Sequence, residues 1–145
     1  MIAQLPVTQA MVKLITGATG HPCGHGALPT DAAGAPVPPP YYVLHPVQFT
    51  PDGAPLADMA EDASLIYQVT CVGVQTDQGE SLADRVRAAV LGRSPVTGVW
   101  QHPLTVPGVT CYGRSIDLDA GTVPDPADAI VSYVIRFRID CTPTT

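Results

Sequence analysis

Lysine is almost absent. Lys13 is the only one, the basic residues total 7 against 13 acidic ones, and the 145-residue chain carries a formal charge of −6 with a pI near 4.8. Gripping a phosphate backbone takes clustered Lys and Arg, so tight nucleic-acid binding is excluded. Polybasic attachment to an anionic membrane is excluded for the same reason. Charged residues make up only 14%, where about a quarter is usual. There is no apolar run of about 18 residues, so no transmembrane helix is expected. The first ten residues lack a charged segment followed by an apolar one, which argues against a secretory signal. The expectation is an intracellular chain with reduced thiols. Cys23, Cys71, Cys111 and Cys141 form no CxxC pair and read as small, buried or half-buried thiols.

What is present is apolar and heavily punctuated. Hydrophobic residues reach 46%, with 16 prolines and 13 glycines. That suits one domain over residues 1–145, large enough to bury a core without metals or disulfides, with long loops between its elements.

Val7, Met11, Leu14 and Ile15 recur at helical spacing and predict a short helix over residues 6–16, with Thr8 as its N-cap and Gly17 and Gly20 as its stop. Residues 17–40 are rich in Gly and Pro and read as a long loop, ending in the run Pro38-Pro39-Pro40. A strand over 41–48, a turn at Thr50-Pro51-Asp52-Gly53, a small acidic loop and a strand over 63–74 follow. The blurred alternation of the 63–74 strand suits a central strand covered on both faces. Residues 76–92 are the clearest helix: Asp77 and Glu80 resemble a capping box, Leu82, Val86, Ala89 and Val90 form a stripe, and Gly92 caps the end. Residues 99–118 read as a strand pair or one bent strand, and 121–128 as a turn region. Strict alternation marks 130–141 as a strand, with Val131, Tyr133, Ile135, Phe137, Ile139 and Cys141 on the core side. The order predicts an α+β fold: a mixed, mainly antiparallel sheet with helices packed on one face.

Catalytic patterns are missing. No serine sits in a GxSxG elbow, and Gly17-Ala18-Thr19-Gly20 ends a helix instead of opening one, so it is no phosphate loop. His21, Cys23 and His25 offer zinc-ligand chemistry within five residues, but a tetrahedral site needs a fourth ligand at a spacing the chain lacks. No catalytic residue, metal or cofactor is therefore expected. Asp117 and Asp119 read as solvated acids on one strand face. Trp100 reads as either core or interface anchor. Arg136 and Arg138 share one face of the last strand and, taken with Arg114, suggest a small basic stripe at a subunit contact, or equally a solvated sheet face.

Four stretches carry a resemblance. They are Pro6-Val7-Thr8 with its helix, the strand from Ser64-Leu65-Ile66-Tyr67-Gln68-Val69 to Gly73, the segment from Gln78-Gly79-Glu80 through Ala83-Asp84-Arg85-Val86-Arg87, and the closing Tyr133-Val134-Ile135-Arg136-Phe137-Arg138-Ile139. A strand reading Y-Q-V-x-x-V-G that runs into a helix reading A-D-R-V-R resembles the tail terminator proteins of long-tailed, siphovirus-type bacteriophages. The resemblance implies a non-enzymatic virion protein that assembles as a ring, typically a homohexamer, at the head-proximal end of the tail tube. It also implies partners: the chain itself, the major tail tube protein and a head-completion or connector protein. Genomic DNA would pass through the ring without specific binding, no membrane is involved, and the host cytoplasm is the place of assembly. Another neck or tail-completion protein is the near alternative, and a small zinc-binding module using His21, Cys23 and His25 the distant one.

Within such a ring, residues 17–40 are expected to be either mobile or ordered by a partner. Tyr41 and Tyr42, directly after the polyproline run, are expected as interface anchors. A sheet face bearing Arg114, Arg136 and Arg138 is expected to meet an acidic neighbour such as residues 58–62.

Overall fold

A computed structural model describes residues 2–52, 62–125, 127 and 129–144. The expected acidic partner segment, residues 58–62, lies outside the described residues except for Asp62. The elements run α1 (Gln4–Thr19), β1 (Cys23–His25), β2 (Tyr41–Asp52), β3 (Asp62–Gly73), α2 (Thr76–Leu91), β4 (Thr105–Val106), β5 (Val109–Asp125) and β6 (Ile130–Pro143). Six strands form one sheet in the order β1-β2-β3-β6-β5-β4. Only β1 and β2 run parallel, and every other pairing is antiparallel. Both helices pack on the same face, which gives the expected α+β architecture.

The helix-side face is built in rows that cross the sheet. Leu44, Val69 and Ile135 stand in register, as do Tyr42, Cys71 and Tyr133, and Leu65 with Ile139. Val7, Met11 and Ile15 of α1 and Val86 and Val90 of α2 close over these rows with no exposure. Each such buried aliphatic or aromatic side chain stabilises the fold by roughly 1.5–3 kcal/mol. The last strand has the expected orientation: Ile135, Phe137, Ile139 and Cys141 are fully buried, while Tyr133 is half-buried.

Several boundaries differ from the sequence expectation. The first helix starts at Gln4, and its N-cap is Ala3 with no side-chain hydrogen bond. Thr8 therefore sits inside the helix, where its hydroxyl donates to the Gln4 carbonyl oxygen at 3.2 Å. The helix runs through Gly17 and ends at Gly20, which takes a left-handed φ of 75° and donates its N–H to Thr16. In α2 the Asp77–Glu80 capping box does not form. Gln75 is the N-cap, and Gln78 Oε1 accepts the Val74 N–H at 2.8 Å. The β3 strand alternates cleanly, with Ala63, Leu65, Tyr67, Val69 and Cys71 buried and the residues between them partly exposed. It is central in the sheet, and among the described residues its outer face is covered only at the Val72 end.

The 17–40 segment is ordered by its own chain. It contains the last turn of α1, strand β1, and a hairpin closed by the Thr30–Pro36 bridge. Asp31 Oδ1 accepts the N–H groups of Ala33 and Ala35, and Gly26 donates its N–H to Leu44. A Cβ on Gly24 would overlap the Ala27 carbonyl oxygen, so the turn after β1 closes only around glycine. Likewise, the expected turn at 121–128 is mostly strand. Gly121, at φ 78°, follows a register shift within β5, and the strand continues to Asp125.

Candidate assembly surfaces

The face of the sheet opposite the helices has no second layer among the described residues, apart from a patch at one end. There Tyr41, Val43 and Val72 are buried, with Val37 and Ile130 packed against them. The rest of this outer face mixes polar and apolar side chains. Register aligns His45, Gln68, Arg136 and Leu118 in one row and Gln48, Ile66, Arg138 and Ser115 in the next. Arg138 donates to Asp140 Oδ1 at 3.0 Å and to Ser64 Oγ at 3.1 Å, and Ser64 Oγ donates to the same carboxylate oxygen at 2.7 Å. Arg136 donates to Gln68 Oε1 at 3.3 Å. Gln48, Thr50, Ser64, Ile66 and Arg138 line a shallow depression of about 210 Å³ on this face. Along β5, Tyr112, Leu118 and Val123 remain more than two-fifths exposed.

The five residues expected at a partner interface do not share one surface. Arg136 and Arg138 do lie side by side on the outer face. Arg114 does not join them, because it pairs with Ile139 and so faces the helices. There it is buried, its NH1 donating to the carbonyl oxygens of Val90 at 3.1 Å and His102 at 2.9 Å. Its guanidinium lies 4.7 Å from the Trp100 ring centroid, and Arg93 lies 3.9 Å from that centroid. Arg114 thus secures the end of α2 and the following loop. Burial is the main influence on its acidity and lowers its pKa, the repulsion of Arg93 adding to that effect and Cys111 opposing it. Trp100, left open by the sequence as core or anchor, is the surface these two arginines share.

Tyr41 and Tyr42 are separated in the same way. Tyr42 is fully buried under α2, its hydroxyl donating to the Leu82 carbonyl oxygen at 2.8 Å. It is a core residue of this chain. Tyr41 belongs to the apolar patch on the outer face.

The His21, Cys23 and His25 cluster stands at the β1 edge. Cys23 pairs with Tyr42 and His25 with Leu44, so the two point to one side, as alternation requires. His21 Nε2, however, lies 3.1 Å from Arg85 NH1, and burial and that neighbouring charge lower its pKa. A cation beside the ring opposes a metal ion at the same place. Burial pushes the Cys23 thiol up to about 12, so it is protonated at neutral pH and a poor nucleophile or ligand. Among the described residues, no group of three His, Cys, Asp or Glu side chains is placed to hold a metal, and no helix is long and apolar enough to cross a membrane.

The sequence reading missed one polar cluster. Arg87 of α2 donates to Asp84 at 2.7 Å, to Asp119 at 2.9 Å and to the Tyr133 hydroxyl at 2.6 Å, tying the helix to β5 and β6. Asp119 is thus an exposed acid, as expected, but one that is ion-paired to Arg87. Burial pushes its pKa up, but the hydrogen bonds from Tyr133 and Arg87 and the Arg87 charge outweigh that and hold it below its usual value. The i,i+3 spacing of Asp84 and Arg87 was a visible signal for part of this cluster.

No protein-family model and no curated protein matches the sequence. Among solved structures, the chain is similar to one described as "Virion of native gene transfer agent (GTA) particle", at a TM-score of 0.64 and 13% identity, covering 95% of this chain and 94% of that one. The likeness extends over nearly the whole of both chains, and at this identity what it shows is a shared fold.

Proposed function

We propose that this chain is a structural component of a phage-like virion: a tail terminator that forms a ring, a homohexamer, at the head-proximal end of the tail tube. In that position it stops tube polymerisation and offers a surface to a head-completion protein. The observation that carries the reading is the fold likeness, nearly end to end, to a chain of a gene transfer agent particle. Two features of this chain support it. Among the described residues, the outer sheet face is uncovered except at the Tyr41 end, and Arg136 and Arg138 sit on it among hydrogen-bonding neighbours. The thiols of Cys23 and Cys71 are both pushed up to about 12 by burial, which leaves them unsuited to nucleophilic catalysis. The net charge of −6 suits a ring through which DNA passes without being held.

In this proposal the chain contacts itself, the tail tube protein and a head-completion protein, with Arg136 and Arg138 at a subunit or tube contact. The test is light scattering of the purified chain with and without tube protein, followed by electron microscopy of tube ends. A ring-sized species that caps tubes of fixed length is expected. A chain that stays monomeric while tubes grow with bare ends overturns the proposal.

A further inference from the structure

We infer that Cys111 and Cys141 form an oxidation site that closes a disulfide between β5 and β6. The two residues are direct register partners, and their Sγ atoms lie 3.0 Å apart. Directly opposed residues of antiparallel strands have Cα atoms about 4.5–5.5 Å apart, inside the window of about 4.4–6.8 Å that a disulfide spans. The backbone therefore needs no rearrangement. The other two thiols cannot imitate this pair. Cys23 and Cys71 both flank Tyr42 in register, so a whole strand stands between them. Two strand spacings amount to roughly 9.5 Å, beyond the reach of about 7 Å.

The two thiols also differ in the way the chemistry requires. Cys141 is fully buried, whereas Cys111 is half-buried and opens onto a depression of about 330 Å³ whose wall includes Trp100, Val106 and Arg114. The hydrogen bond from Cys141 draws the Cys111 thiol below its ordinary value, burial opposes this, and the Arg114 charge assists it. That hydrogen bond and burial push Cys141 up. Cys111 is thus the attacking sulfur and Cys141 the resolving one.

The oxidant is a small-molecule disulfide such as oxidised glutathione. The Cys111 thiolate attacks one of its sulfurs and expels one glutathione thiolate, leaving a mixed disulfide on Cys111. Cys141 then gives up its proton, and its sulfur attacks Cys111 Sγ and expels the second glutathione. Two protein thiols lose two electrons in total, and the glutathione disulfide is reduced to two thiols. A reducing cytosol keeps the pair open, and an oxidising medium closes it.

The test is incubation of the folded protein with oxidised glutathione, followed by intact-mass analysis and non-reducing peptide mapping. The expected product has lost two hydrogens, carries no glutathione, and yields one linked peptide pair containing Cys111 and Cys141. Its melting temperature rises by roughly 5–15 °C, reversibly with dithiothreitol. Cys141→Ala is expected to trap one glutathione on Cys111. Should that variant fail to fold, the wild-type peptide map alone decides. A stable glutathione adduct on the wild type, a link involving Cys23 or Cys71, a link between two chains, or four unreacted thiols each overturns the inference.

Discussion

The hydroxyls of Thr8 and Tyr67 meet 2.9 Å apart between α1 and β3, buried on both sides. The pair links the first helix to the central strand, and its two halves are not equivalent. Thr8 keeps a second partner, the Gln4 carbonyl oxygen, whereas Tyr67 is fully buried. Removing the Thr8 hydroxyl strands a buried phenol, and removing the Tyr67 hydroxyl strands nothing. Thr8→Val is therefore expected to cost about 1–3 kcal/mol, and Tyr67→Phe only about 0.5–1.5 kcal/mol. Urea unfolding of both variants checks the order, and the reverse order would show that Tyr67 finds another partner.

Phe137 lies at the centre of β6 with no exposed surface, paired with Tyr67. Its replacement by Ala is expected to cost about 3–5 kcal/mol, because the rows on either side hold the cavity open. Denaturant midpoints measure this directly. A loss well under 1 kcal/mol would mean that the core collapses around the gap.

The contrast between what the sequence disclosed and what it hid is physical. Residues 130–141 were legible because only one face of β6 is covered by helices, so burial and alternation coincide. Period two also carries a lesson that the reading of Tyr41 and Tyr42 missed: neighbours on a strand cannot both face a partner, and here Tyr42 is the one turned inward. Arg114 was misplaced for a related reason. Alternation fixes faces within one strand, but matching β5 to β6 needs their register, which shifts between Cys111 and Gly113. Strand β1 was hidden because three residues carry no periodicity; pairing with Tyr42, Val43 and Leu44 makes it a strand. Thr8 looked like a cap because its residue type favours caps, while its tertiary partner 59 residues away decided its place.

Asp119 sets a pH dependence. Its folded carboxyl is held below the ordinary value of 3.8. A depressed folded value adds stability above the unfolded value, and that contribution is lost as pH falls through the folded one. Asp119→Asn is therefore expected to cost about 0.5–1 kcal/mol near neutral pH, with its side chain only partly exposed. The difference from wild type should shrink below about pH 4 and vanish once the wild-type carboxyl is protonated. Thermal melts from pH 7 to 3 follow it, and a difference that stays constant across the range would exclude the ion pair as its source.

The outer face supplies the last prediction. Arg136 bonds Gln68, and Arg138 bonds Ser64 and Asp140, with the Arg138 side chain 51% exposed where it meets Asp140. Exposed pairs of this kind contribute about 0–1 kcal/mol to folding, so Arg136→Ala with Arg138→Ala is expected to leave the melting temperature within a few degrees of the parent. Assembly should respond differently. At a contact, arginine is a residue whose truncation costs most, because its fork of donors leaves partner acceptors unpaired. The double variant is therefore expected to lose most of its ring or tube binding in light scattering with tube protein. Leu5→Ser, on the 56% exposed side chain of α1, serves as the control that should assemble normally. A double variant that folds and assembles as the parent does would remove the outer face from the assembly, and a double variant that melts far below the parent would show that these arginines hold the sheet itself.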